Sequence, residues 1–285
     1  MIGIKNTMSK KKQEDNLALR AIDIRKNILE MMLKTQNSHI GSCYSIVDIL
    51  TVLYFRILNI DPKNSNDSNR DIFVLSKGHA AAALYAVLAA RNFFSMEELY
   101  NFCVDGSKIA GHVVKNSLPG IEISSGSLGH GLSMTTGMAL ANKKKNRHFY
   151  CLLGDGECNE GSNWEAMMFA VQQKLHNLIA IVDLNKQQGM GRTEGIVEIN
   201  NMKDRWKVFG WNAVEVDGHN YTEIENAFKN LQNSNKPSVI IANTIKGKGV
   251  SYMEDDVTWH YSSPTNDTYI QALKELDKQY EKYSS

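Results

Sequence analysis

The segment Leu153-Gly154-Asp155-Gly156-Glu157-Cys158-Asn159-Glu160 closes one apolar run on a carboxylate, and Ile179-Ala180-Ile181-Val182-Asp183-Leu184-Asn185 closes the next on a carboxamide. The distance between them in the chain is that of one strand-helix-strand crossover. If both runs are neighbouring parallel strands, Asp155 and Asn185 converge at one sheet edge, beyond the carboxyl ends where such sheets bind ligands. These two oxygen donors and a carbonyl from the loop after Asn185 suit Mg²⁺, which takes few protein ligands and keeps positions for phosphate oxygens. Gly154 and Gly156 leave the backbone open to a diphosphate, whose charge the N–H groups of the following helix start would meet. A Walker A loop is not the source of this chemistry, since Lys246-Gly247-Lys248-Gly249 lacks the lysine-then-hydroxyl ending. The residues thus point to a Mg²⁺-diphosphate site and leave the identity of the diphosphate open.

Histidines supply a second set of groups. Four of the eight follow glycine, at Gly78-His79, Gly111-His112, Gly129-His130 and Gly218-His219, and Ser38-His39 adds another imidazole in an expected loop. Glycine before histidine lets the ring project from a tight turn, and imidazole exchanges protons near neutrality. No pair has the i, i+4 spacing of a helical zinc site, and Cys43, Cys103, Cys151 and Cys158 form no Cys-x-x-Cys. Reduced thiols of a cytoplasmic protein are expected.

Positioning these groups requires alternating strands and helices. Apolar periodicity predicts a helix over 17–33, a loop over 35–42 carrying His39, a helix over 45–57, a strand over 71–75 and a helix over 80–90. Strands over 149–153 and 178–184 bracket a helix over 163–175, and strands over 213–216 and 238–244 bracket a helix over 221–231. The fold class is α/β, a mostly parallel sheet with helices on both faces. With 285 residues, 42% hydrophobic and 22% charged, the chain is long enough for a substantial core. A net charge of +1 gives no nucleic-acid surface, no apolar run is long enough for a membrane span, and the polar first residues are not a signal peptide.

Gly154-Asp155-Gly156 followed by a strand-ending Asn185 resembles the thiamine diphosphate signature. Ser38-His39-Ile40-Gly41-Ser42, Val74-Leu75-Ser76-Lys77-Gly78-His79-Ala80, Gly126-Ser127-Leu128-Gly129-His130-Gly131-Leu132-Ser133 and Thr244-Ile245-Lys246-Gly247-Lys248-Gly249 occur in the order of transketolases, so that about 17–261 resembles that family. The resemblance implies the thiamine diphosphate-binding fold, with Mg²⁺ held by Asp155, Asn185 and the main-chain carbonyl of Gln187. It places Gly156 on the diphosphate, Gly126, Ser127 and Leu128 against the aminopyrimidine, and Ser42, His79 and Lys246 among the coenzyme contacts. His39, His79, His112 and His260 would surround the coenzyme and the hydroxyls of a ketose donor. Glu160 and Glu165 match acidic residues near the coenzyme and the subunit contact. His112 departs from the family in preceding Val113-Val114 where proline is commoner, and His130 stands where glutamine is frequent.

The implied activity moves a two-carbon ketol unit from a ketose phosphate to an aldose through a thiamine diphosphate carbanion. The glutamate that activates the coenzyme belongs, in transketolases, to a following pyrimidine-binding domain. The expected organisation is a polar extension over 1–16, a diphosphate-binding domain over 17–262 and a polar tail over 263–285, with the pyrimidine-binding and C-terminal domains absent. That organisation implies the N-terminal subunit of a split transketolase, active with a separately encoded C-terminal subunit in an α2β2 assembly. The alternatives are a deoxyxylulose-phosphate synthase-like enzyme, a transketolase for a sulfonated or branched sugar, and a non-catalytic coenzyme-binding regulatory subunit.

Overall fold

The structure, a computed structural model, describes residues 16–197 and 201–284. In chain order its elements are α1 (Leu17–Thr35), α2 (Ile40–Tyr44), α3 (Val47–Val52), β1 (Ile72–Leu75), α4 (Ala81–Ala90), α5 (Met96–Leu99), α6 (His130–Ala141) and β2 (Phe149–Gly154). There follow α7 (Gly161–Gln172), β3 (Leu178–Leu184), β4 (Gln187–Gln188), β5 (Gly191–Arg192), α8 (Met202–Val208), β6 (Asn212–Asp217), α9 (Tyr221–Leu231), β7 (Ser238–Asn243) and α10 (Asn266–Ser284). The main sheet has the order β1-β2-β3-β7-β6 with every pairing parallel, while β4 and β5 form a small antiparallel ribbon.

The inner strands read as unbroken apolar runs because both faces are covered. Along β2, Tyr150 and Leu152 enter one core, with helices α1, α3, α4 and α9, while Phe149, Cys151 and Leu153 enter the other, with α6, α7 and α8. β3 and β7 divide in the same way. Edge strand β6 is covered less completely, with Ala213 and Val216 buried and Glu215 and Asp217 exposed. Local signals fix the helix starts: Asn16 Oδ1 accepts from the N–H groups of Ala18 and Leu19, and Asn220 Oδ1 from those of Thr222 and Glu223.

Two expectations need correction. The segment 263–285 is not merely a tail: Asn266–Ser284 is a helix that packs on α1, burying Ala272 and Leu276 and half-burying Tyr269, Leu273 and Tyr280. Those residues recur at helical spacing, but the polar face dominates the composition and hides the narrow apolar stripe. Lys26 pairs with Asp277 at 2.6 Å across this contact. The loop expected over 35–42 ends at His39, because the short helix α2 starts at Ile40 ahead of the expected second helix, which runs as α3 from Val47 into a π turn over Leu53–Ile57. The polar extension falls on residues that, apart from Asn16, lie outside the described residues. All four cysteines are free, with Cys43, Cys151 and Cys158 buried. Among the described residues no helix is long and apolar enough to cross a membrane.

Candidate active site

Because the strands are parallel, the segments Ser76–His79, Gly154–Gly156, Asn185–Gln187 and Thr244–Lys246 all emerge at one edge, after β1, β2, β3 and β7. They surround an open cleft of about 420 Å³. Its lining includes His39, Ser42, His79, His112, Gly126, Leu128, Asp155, Gly156, Asn185, Gln187, Lys246 and His260. Of the residues the resemblance assigns to catalysis, coenzyme or metal, Ser127 alone does not line it and is exposed. His130 is also exposed, with Nδ1 3.1 Å from the Leu128 carbonyl, whereas Glu160 lines the cleft and Glu165 faces solvent on α7. Another cleft, of about 570 Å³ beside α8, contains none of these residues.

The histidines form one cluster. The His39 ring centroid lies 4.9 Å from His260, 5.3 Å from His79 and 6.2 Å from His112. His39 has φ +76°, a left-handed conformation uncommon and strained for a non-glycine residue, and its N–H donates to the His260 carbonyl at 3.0 Å. The chain accepts strain there to aim an imidazole into the cleft. Gly78 is needed for close approach, since a Cβ at that position would lie 2.4 Å from Ser125 Oγ.

Burial, aided by neighbouring cations, keeps these rings neutral. Burial, with His112 and Lys246 nearby, brings His39 from 6.5 to about 4, and burial with Lys246 brings His260 to about 3. Burial also lowers His79 and His112. Lys246, drawn down to about 8 by burial and by Lys77, sets its Nζ 2.9 Å from His260 Nδ1, which accepts. At neutral pH the rings are therefore neutral hydrogen-bonding groups, not half-protonated ones. The histidines are lowered relative to the unfolded chain, so their contribution to stability is complete above pH 6.5 and disappears as pH falls through about 4 and 3. Thermal unfolding of His39→Asn should show a shallower acid loss between these limits, by close to one bound proton. Parallel profiles for variant and parent would contradict the assignment.

Beneath the cleft lies a network that motifs alone do not disclose. Asp183, with no exposed surface, accepts at Oδ2 from Lys77 Nζ (2.5 Å), Ser45 Oγ (2.7 Å) and Asn185 Nδ2 (2.9 Å), and at Oδ1 from Thr244 Oγ1. Burial would raise this carboxyl, but Lys77, Thr244 and Ser45 hold it below the usual range. By gripping the Asn185 amide nitrogen, Asp183 fixes which way the Asn185 oxygen faces. Glu157 joins a second group of segments: Oε1 accepts from Ser76 Oγ and from the Gly129 N–H (2.9 Å), and Oε2 from the Gly154 N–H (3.1 Å). The sequence signal was a charge inside or next to a buried apolar run, because such groups are rarely buried unless paired.

Asp155 tests whether a metal-diphosphate suits the site. It is 2% exposed, its oxygens accept from the Gly156 N–H (2.7 Å) and the Lys186 N–H (2.6 Å), and no cationic side chain pairs with it among the described residues. Burial and the Asp183 charge push it from 3.8 to about 7. A buried carboxylate without a counter-cation fits a metal ligand. No three His, Cys, Asp or Glu side chains converge as a metal cage among the described residues, so one carboxylate, one amide and phosphate oxygens match Mg²⁺ better than zinc. Gly156 completes the cradle: a Cβ there would lie 2.7 Å from Gln188 Cγ.

Parallel strands ending in this cleft define a thiamine diphosphate-binding domain, and the sequence profile of the "Transketolase, thiamine diphosphate binding domain" matches residues 18–279. The chain belongs to the transketolase family. It is 42% identical over 273 residues to a subunit of the apulose-4-phosphate transketolase of Phocaeicola vulgatus, covering 95% of this chain and 97% of that one. It is 40% identical over 270 residues to 6-deoxy-6-sulfo-D-fructose transketolase subunit SqwG of a Clostridium species, covering 94% and 98%. The solved transketolase of Campylobacter jejuni superposes with a TM-score of 0.81 at 29% identity over 97% of this chain, which spans 48% of that chain's length.

Proposed function

We propose that this chain is the N-terminal, diphosphate-binding subunit of a cytoplasmic two-subunit transketolase that transfers a two-carbon ketol unit from a ketose phosphate to an aldose. The observation that carries the reading is Asp155, a buried carboxylate beside Asn185 at the carboxyl ends of β2 and β3, in the cleft that holds the histidine cluster. Asp155, the Asn185 amide and the Gln187 carbonyl would hold Mg²⁺, and Gly156 would meet the diphosphate. Gly126, Ser127 and Leu128 would face the aminopyrimidine, with Ser42, His79 and Lys246 completing the coenzyme contacts. Thiamine diphosphate, when bound, supplies the carbon nucleophile for ketol transfer. His39, His79, His112 and His260 would bind the donor hydroxyls and move protons between them and the reacting oxygens.

The glutamate that activates the coenzyme would come from a partner subunit with a pyrimidine-binding domain, in an α2β2 assembly. Two relatives of the same extent are named as subunits, which supports the division. The surface supports it as well. Met134, Gly137 and Leu140 on α6 and Met168 and Phe169 on α7 are exposed, and the two helices pack side by side. Both helices begin where Leu128 and Glu160 line the cleft, so this apolar face runs up to the coenzyme site.

The test is turnover with thiamine diphosphate and Mg²⁺ by the chain alone and mixed with a candidate partner from the same genome. Xylulose 5-phosphate, apulose 4-phosphate and 6-deoxy-6-sulfofructose serve as donors. No turnover alone and turnover on mixing is the expected result, and full activity of the isolated chain would sink the division of labour. Met168→Glu with Phe169→Glu should weaken partner binding at least ~30-fold, because exposed aromatic anchors dominate such interfaces. Unchanged co-purification would show that the partner docks elsewhere.

A further inference from the structure

Behind the cleft, outside its lining, a buried cluster grips the loop that carries Lys246. His219, in the turn after β6, places Nδ1 2.8 Å from Asp48 Oδ2 on α3, and its Nε2 accepts the Ile245 backbone N–H at 2.9 Å. A backbone N–H can only donate, so Nε2 is the bare nitrogen and the proton sits on Nδ1, facing the carboxylate. A single neutral tautomer satisfies both contacts. Asp48 is 3% exposed and also accepts from Arg25 Nη1 (3.0 Å), Arg25 Nη2 (2.8 Å) and the Tyr221 hydroxyl (2.7 Å). Burial would raise its carboxyl, but Arg25 and His219 hold it well below the usual range. Arg25 Nε in turn donates to the Lys248 carbonyl at 2.9 Å. Two backbone groups flanking Lys246, the Ile245 N–H and the Lys248 carbonyl, thus trace back to one buried carboxylate.

We infer that His219, oriented by Asp48, is a positioning residue that sets the backbone of the Lys246 loop and so the place of the Lys246 ammonium beside His260. Its relevance to catalysis rests on the proposed role of Lys246 as a coenzyme contact, whereas the positioning itself does not. A merely structural histidine would matter through its bulk and its bond to Asp48. A positioning histidine matters through Nε2.

Two substitutions separate these roles. His219→Asn can put a donor where Nδ1 stands, keeping the bond to Asp48 and losing Ile245, while His219→Gln can put an acceptor where Nε2 stands, keeping Ile245 and losing Asp48. Amide hydrogen exchange at Ile245, read on the full chain, should speed up ~10-fold or more in the Asn variant and stay within ~3-fold in the Gln variant, the scale of one lost hydrogen bond. The pH midpoint of Lys246 acetylation, about 8 in the parent, should move up toward an ordinary lysine in the Asn variant and remain near about 8 in the Gln variant. Thiamine diphosphate affinity with Mg²⁺ should fall ~10-fold and less than ~3-fold respectively. Equal behaviour of the two variants at Ile245 and Lys246 overturns the inference. Absence of any coenzyme binding by the unaltered chain counts against the proposed function instead, and leaves the exchange and acetylation readings to decide the role of His219.

Discussion

Lys77→Met should lower the unfolding free energy by about 3–5 kcal/mol, the usual cost of removing one partner of a buried ion pair. Lys77 and Asp183 are 1% and 0% exposed at the side chain, and their 2.5 Å contact is the only cationic one made by Asp183 among the described residues. Methionine fills much of the lysine volume, so the loss comes from an uncompensated charge and not from a cavity. The lysine also donates to the Ser42 carbonyl at 3.2 Å, and this bond is lost as well. Urea unfolding of the variant is the measurement, and a loss below about 1 kcal/mol would show that the pair is not what holds the strand ends together. A second variant controls for general damage: adding Asp183→Leu to Lys77→Met should recover part of the stability, because the stranded charge is gone. It should not recover coenzyme binding, since the Asn185 amide nitrogen then loses its acceptor.

The second large effect is on ligand binding. Asp155→Ala should reduce Mg²⁺-dependent thiamine diphosphate affinity at least ~100-fold, since removing even the outer partners of a metal ligand costs roughly 10- to 100-fold. Its effect on folding should be of the opposite kind. In the metal-free chain Asp155 is raised from 3.8 to about 7, so its favourable contribution is present below pH 3.8 and lost as pH rises through about 7. The difference corresponds to about 4 kcal/mol. Removing the carboxylate therefore lifts a penalty at pH 8, offset by leaving the Gly156 and Lys186 N–H groups without an acceptor. Calorimetry of coenzyme binding and a thermal scan at pH 8 without Mg²⁺ measure the two effects. Undiminished coenzyme affinity would remove Asp155 from the site, whereas a collapse in stability with Mg²⁺ absent would make it a structural residue.

Both predictions concern the same strand ends, yet only one of the two acids was legible in the motif. Asp155 stands between glycines after an apolar run, where a turn exposes it to a ligand, and its type and setting announce chemistry. Asp183 is embedded in the run itself. Its meaning depends on Lys77, which is distant in sequence and adjacent only because β1, β2 and β3 line up in parallel. His219 shows the same limit: its Gly-His context equals that of His79, but one ring enters the cleft and the other binds Asp48 behind it.

By itself the sequence determined the alternation of strands and helices, the parallel sheet and the convergence of Asp155 and Asn185, because each follows from local periodicity and from the length of a crossover. Motifs in order also determined the family. The family resemblance also named the four histidines that gather, but only the tertiary structure decided their protonation state, since burial and the Lys77 and Lys246 charges are set by packing between segments far apart in the chain. It likewise decided that 266–284 forms a helix against α1, because an apolar stripe this narrow becomes a helix face only when another helix covers it.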